Sequence, residues 1–160
     1  MKRAVGIIGG SSCSEEICKL AYRVGYLLAK QDIVVVTGGL GGVMLHASKG
    51  AKDAGGITLG ILPYGKEEAN PYVDIAIPTF FGLARNHLVV RASDVLIAID
   101  GYIGTLSEIS FALNENKTVI SLFSWKLEKE KITKGRYLEA NTPEEAVEMA
   151  IDALSHLKVF

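Results

Sequence analysis

Asp100-Gly101-Tyr102-Ile103-Gly104-Thr105-Leu106-Ser107-Glu108 follows the apolar run Val95 to Ile99 and leads into a segment of helical character. The order is strand, glycine turn, helix start. A parallel strand that delivers such a turn onto a helix N-terminus aims several unpaired backbone N–H groups at one spot, and such a spot suits a phosphate. Thr105 is suited to cap this helix, and Glu108 then stands within reach of whatever the turn holds. The same Thr105-x-x-Glu108 spacing is also a capping box, in which Glu108 closes back on the backbone and performs no chemistry. Both readings stand on the sequence of this stretch alone.

Outward from it, short β-rich runs alternate with helical patterns: Ala4 to Ile8, Ile33 to Thr37, Thr58 to Leu62, Asp74 to Ile77, Val95 to Ile99 and Thr118 to Leu122. These runs are continuously apolar, as strands covered on both faces require. Helices fill the gaps. Ser14-Glu15-Glu16-Ile17 opens the first, and Ile17, Leu20, Ala21, Val24, Leu27 and Leu28 mark one face at helical spacing. Thr142-Pro143-Glu144-Glu145 opens the last with an N-cap, a proline at the first helical position and acids in the first turn. Phe123 to Arg136 is charged and weakly periodic, and reads as an exposed connection or a short helix. Such alternation predicts an α/β fold, a three-layer doubly wound and mostly parallel sheet of six or seven strands with helices on both faces.

A chain of 160 residues fits one well-buried core, so residues 1–160 are expected to form a single domain. A net charge of −1, with 22% charged residues, offers no electrostatic bias towards nucleic acid or anionic lipid, and neither is expected as a partner. Gly9-Gly10-Ser11-Ser12 ends the first apolar run before it reaches signal-peptide length, and no run approaches a membrane span. Cys13 and Cys18 are spaced for neither a C-x-x-C motif nor a helix-face metal pair, and two cysteines make no disulfide framework; the cytoplasm is the simplest compartment. No metal site is expected, because His46, His87 and His156 are scattered.

Ligands of doubly wound sheets bind beyond the carboxyl ends of the strands, where strand order reverses. Three glycine turns fall at strand ends: Gly9-Gly10-Ser11-Ser12, Gly38-Gly39-Leu40-Gly41-Gly42, and the turn containing Gly101 and Gly104. Neither the dinucleotide G-x-G-x-x-G with its ribose-binding acid nor a P-loop is present, which leaves a smaller phosphate ester such as a mononucleotide. Arg85 supplies a cation. It lies at an expected helix start before the fifth strand, and its neighbours at helical spacing, Leu88 and Val89, are apolar. A ligand phosphate or Glu108 would partner it there; alternatively it snorkels to water. Asn86 either caps the helix or faces the ligand, while His87 and Arg91 have ordinary surface readings.

Arg85-Asn86, Ser93-Asp94 and the Gly101 to Glu108 turn, together with Gly38-Gly39-Leu40-Gly41-Gly42-Val43-Met44, Gly50-Ala51 and Gly55-Gly56, resemble the SLOG superfamily. That group joins the LONELY GUY phosphoribohydrolases, which often carry a lysine-decarboxylase label, with molybdenum-cofactor carrier proteins and the core of DNA-processing protein A. The Arg-Asn pair and Gly-Thr-Leu-Ser-Glu are closer to the short, carrier-like branch. The resemblance implies that Arg85 and Glu108 would form a catalytic pair. Gly9, Gly10, Ser11, Gly38, Gly39, Gly41, Gly42, Met44, Asn86, Gly101, Tyr102, Gly104 and Thr105 would hold ligand or phosphate. It also implies a homodimer or higher homo-oligomer.

Two functions follow from it. In the enzymes a nucleoside 5′-monophosphate is cut at its N-glycosidic bond to free base and ribose 5-phosphate, with Glu108, ionised at its helix N-terminus, stabilising an oxocarbenium-like sugar and orienting water. The other function is a non-catalytic carrier or sensor of a nucleotide or molybdopterin-type ligand, with no cofactor required. A lysine decarboxylase is not expected, since no cofactor-binding lysine site is evident. Where the enzymes carry Pro-Gly-Gly, this chain has Asp100-Gly101-Tyr102. Asp100 would add a like charge near the phosphate, and Tyr102 would be strained if its φ were positive, or would stack on a base or pterin. Both departures favour a binder with an altered ligand.

Overall fold

A computed structural model describes residues 1–158, and in it the alternating pattern closes into one seven-stranded sheet. Its strands are β1 (Ala4–Gly9), β2 (Val34–Thr37), β3 (Thr58–Leu62), β4 (Ile75–Pro78), β5 (Val95–Ile99), β6 (Thr118–Leu122) and β7 (Arg136–Ala140). They lie in the order β4-β3-β2-β1-β5-β6-β7, and every neighbouring pair is parallel. The helices are α1 (Glu15–Lys30), α2 (Val43–Asp53), α3 (Asn86–Arg91), α4 (Ile103–Asn114) and α5 (Pro143–Ser155).

The apolar strand residues divide between two cores. Val5, Ile7, Val35, Ile97 and Ile99 face α1, α2 and α5, whereas Ile8, Val36, Leu96 and Ala98 face α3 and α4. Continuous apolar runs are therefore consumed on both sides, which explains why the central strands do not alternate. β4 differs because it is an edge, and there Ile75 and Ile77 remain exposed. Caps sit where the sequence puts them. Ser14 Oγ accepts from Ile17 N at 3.3 Å, and Thr142 Oγ1 accepts from Glu145 N at 3.1 Å, with Pro143 opening α5.

α1 and α2 touch backbone to backbone. A Cβ on Gly25 would lie 2.0 Å from Ala47 O, and one on Gly50 2.0 Å from Tyr22 O, so only glycine permits this approach.

A seventh strand, Arg136–Ala140, lies beyond the six expected runs, while the segment Phe123 to Arg136 holds one short turn of 3₁₀ helix, Lys129–Lys131, in keeping with an exposed connection or short helix. β7 is half exposed at an edge and carries Arg136, Tyr137 and Glu139, so its apolar signal is weak. Two expectations need correction. Thr105 is not the cap of α4, because the helix starts at Ile103 with Tyr102 at the N-cap position. Cys13 and Cys18 form a disulfide with Cα atoms 5.7 Å apart. Helix-face spacing did not apply to them, since Cys13 precedes the N-cap and lies off the helix.

Candidate functional site

The chain steps outward from β1 through β2, β3 and β4, then returns to place β5 on the other side of β1. Strand order therefore reverses between β1 and β5, and a cleft lies beyond the carboxyl ends of these two strands. The end of β1 and the turn after it supply Gly9, Gly10 and Ser11, the turn before α2 supplies Leu40 and the first turn of α2 supplies Met44, and the start of α4 supplies Tyr102, Gly104, Thr105 and Glu108. Leu83, Arg85 and Asn86 close it from a 3₁₀ turn (Gly82–Arg85) that runs into α3. The cavity is about 220 Å³, enough for a phosphate and part of a ring. A larger cleft of about 540 Å³ lies on the other face of α4, against Lys126 to Lys134, but no buried charge lines it.

Arg85 is only 5% exposed, and its guanidinium is incompletely satisfied. Nη1 donates to Asn86 Oδ1 and Nη2 to Gly38 O at 3.3 Å, while Nε has no partner. Among the described residues no carboxylate forms an ion pair with it; Glu108 and Glu68 act only through space. Burial lowers its pKa from the ordinary arginine value, partly offset by those two acids. Gly38 makes room for it, since a Cβ there would meet Arg85 Nη2 at 2.7 Å and Met44 Sδ at 2.8 Å.

Glu108 is 7% exposed and does not return to cap α4, so the capping-box reading fails with the helix start two residues upstream of Thr105. Burial pushes its carboxyl up to about 8, against the opposing pull of Arg85. The expectation of an ionised Glu108 is thereby corrected: the helix N-terminus contributes a fraction of a charge, and desolvation outweighs it. Burial favours the protonated form of Glu108, which can donate as well as accept a hydrogen bond.

The first turn of α4 leaves the N–H groups of Ile103, Gly104 and Thr105 without intrahelical partners. At Gly104 an added Cβ would meet only Asn86 Nδ2, at 3.9 Å, so the Cα of this residue borders the open cleft. Tyr102 is unstrained at φ −114°; the positive φ values of this turn fall on Asp100 (49°) and Gly101 (97°) instead. A side chain on Gly101 would also strike Thr105 Oγ1. Asp100 does not line the cleft, and its backbone carbonyl accepts from Ser124 Oγ at 2.6 Å.

The structure thus gathers Gly9, Gly10, Ser11, Met44, Arg85, Asn86, Tyr102, Gly104, Thr105 and Glu108 around one cavity. Gly38, Gly39, Gly41, Gly42 and Gly101 stand behind it as supports. Gly42, at φ 59°, packs its Cα against the Gly10–Ser12 backbone, where a Cβ would fall 2.4 Å from Gly10 O. Leu40 and Leu83 join the lining unforeseen, because isolated leucines beside glycines carry no sequence signal of their own. His87 and Arg91 lie elsewhere, both paired with Glu115 at 2.6 and 2.7 Å.

Residues 2–147 match the model of the SLOG cluster4 family. The chain belongs to this family. An uncharacterized protein of Archaeoglobus fulgidus is 44% identical over 149 residues, covering 93% of this chain and 95% of the relative. Among solved structures, the molybdenum cofactor binding protein of the phototrophic bacterium Rippkaea orientalis superposes with a TM-score of 0.88 at 38% identity, over 96% of this chain and 98% of that one. The Moco carrier protein of Chlamydomonas reinhardtii superposes with a TM-score of 0.88 at 31% identity, over 98% and 100%. Within the SLOG cluster4 family this chain is therefore similar along its whole length to cofactor-binding proteins, and among its described residues no helix is long and apolar enough to cross a membrane.

Proposed function

We propose that this protein is a non-catalytic carrier of a phosphorylated small ligand of the molybdenum-cofactor type, held by its phosphate at the β1/β5 switch point. The observation that carries the reading is Arg85, a buried guanidinium with an unpartnered Nε and no ion-paired carboxylate, aimed into a cleft floored by a helix N-terminus. Burying a charge without a counter-ion is costly, and a ligand oxyanion is the partner that relieves it. Arg85, the Gly104 and Thr105 N–H groups and the Thr105 hydroxyl would hold the phosphate. Met44, Leu40, Leu83 and the exposed Tyr102 ring offer apolar contact to a pterin. The cofactor is cargo on this reading, and its redox chemistry belongs to the enzyme that receives it.

The burial of Glu108 suits carriage of an anionic ligand. A neutral carboxyl lends no negative charge to an oxocarbenium-like sugar, whereas it donates a hydrogen bond to an anionic ligand without repelling it. The matched structures named for a cofactor point the same way. A homo-oligomer belongs to the same proposal, and sedimentation velocity measures it.

Anaerobic calorimetry with purified molybdenum cofactor, alongside a panel of nucleoside 5′-monophosphates analysed for free base, tests the proposal. Saturable cofactor binding without base release is expected. Arg85→Gln should weaken that binding about 10- to 100-fold, the scale of one charge-assisted hydrogen bond. Free base released by the unmutated chain and not by Glu108→Gln would overturn the carrier reading.

A further inference from the structure

The turn after β1 ends in a second cluster of side chains that the cleft does not use. Cys13 stands just before Ser14, the N-cap of α1, and Cys18 lies in the first turn of that helix, disulfide-bonded to it. His46 on α2 comes alongside because the Gly25 and Gly50 contacts draw the two helices together. The two Sγ atoms and a ring nitrogen of His46 all lie within 4.8 Å of one another. His46 Nδ1 is 2.9 Å from Gly42 O. A carbonyl oxygen only accepts, so Nδ1 carries the proton and the lone pair is on Nε2. This is the orienting contact that metal-bound imidazoles receive from a backbone carbonyl. A surface cleft of about 410 Å³, lined by Glu15, Cys18, Lys19, Tyr22, His46 and Lys49, gives access. Its lysines are paired, Lys19 with Glu15 and Lys49 with Asp53, each at 3.1 Å, so they leave little uncompensated positive charge to oppose a cation.

We infer that, once the Cys13–Cys18 bond is reduced, Cys13, Cys18 and His46 form a three-ligand site for a thiophilic d¹⁰ cation of the zinc(II) class, with its fourth position open to the cleft. Tetrahedral zinc with bonds of about 2.3 Å to sulfur and about 2.0 Å to nitrogen sets its ligand atoms roughly 3.5–3.8 Å apart. The three donor atoms, within 4.8 Å of one another, are already gathered on that scale. Two thiolates and one imidazole are a borderline-soft donor set, which disfavours magnesium and calcium.

The chemistry has two balanced stages. A dithiol reductant breaks the S–S bond by exchange, delivering two electrons and two protons to the cysteines and leaving as its own disulfide. The cation then displaces the two thiol protons as two Zn–S bonds form. Oxidation and metal loading are mutually exclusive at this site. Gly42 carries His46 on its carbonyl and packs against the Gly10–Ser12 backbone, so the metal site and the phosphate cleft share a wall.

The test uses the full chain, reduced without oxygen by a phosphine, which departs as its oxide, then desalted and titrated with zinc(II) and cobalt(II). The reduced protein is expected to take up about one zinc, to release about two protons per ion, and to show a thiolate-to-cobalt charge-transfer band, while the oxidised protein shows none of these. Cys13→Ser/Cys18→Ser should abolish the band. His46→Gln, which keeps both thiols, should weaken zinc binding by at least about 10-fold. No uptake by the reduced chain, equal uptake by the oxidised chain, or unchanged affinity in His46→Gln would each overturn the inference.

Discussion

Glu108 is a carboxyl group held where its charged form is poorly tolerated, and the sign of the consequence follows directly. Its folded pKa, about 8, is above the ordinary glutamate value of 4.5, so the folded state binds the extra proton. Its contribution to stability is fully present below about pH 4.5 and is lost progressively as pH rises through about 8, each unit being worth about 1.4 kcal/mol. Glu108→Gln removes that dependence, and denaturant titrations from pH 5 to 9 should show the variant gaining on the unmutated protein as pH rises. Ligand affinity should follow the same course. Above pH 8 an ionised Glu108 repels a phosphate, so binding weakens in the unmutated chain and stays level in Glu108→Gln. Gly104 separates fold from function by another route. Its missing side chain faces only the cleft, so Gly104→Ala should leave stability unchanged or raise it by up to about 1 kcal/mol while lowering ligand affinity, read by thermal unfolding and calorimetry on the same sample. At Tyr102 the condition for strain is not met, because the turn assigns positive φ to Asp100 and Gly101, positions that linear sequence does not single out.

At the scale of elements, the α1–α2 contact holds the closest backbone approaches at any glycine among the described residues. Gly25→Ala places a methyl 2.0 Å from the Ala47 carbonyl, which neither helix can relieve without separating, and a loss of about 2–3 kcal/mol is expected in urea unfolding. The same substitution would draw His46 away from the two cysteines. The strands β3, β5 and β6 were legible to the residue, because a buried parallel strand must be apolar on both faces and little else in a short chain is. β7 was not, since an exposed edge imposes no such demand. The cleft residues Gly9, Arg85 and Glu108 were legible as strand-end glycines and stranded charges. The protonation of Glu108 and the Cys13–Cys18 pairing were not, because both depend on how far residues are drawn from water or towards each other, which linear spacing does not encode.

For the molecule as a whole, one sheet shared by two helical layers means that neither core survives without the strands between them. Far-UV circular dichroism and fluorescence should therefore report one coincident unfolding transition, and separated midpoints would reveal two units instead of one domain. The single tryptophan makes the second probe simple. Trp125 lies in the segment after β6, half-buried against the α3/α4 core, and its Nε1–H donates to Tyr102 O at 3.0 Å, at the N-cap of α4. Tyr137 clasps the same residue from β7 by donating to Trp125 O at 2.6 Å. An indole tied to the backbone of the residue whose ring borders the phosphate cleft is a natural optical gauge. Occupancy of the switch point should register as a change in its emission, with no label attached.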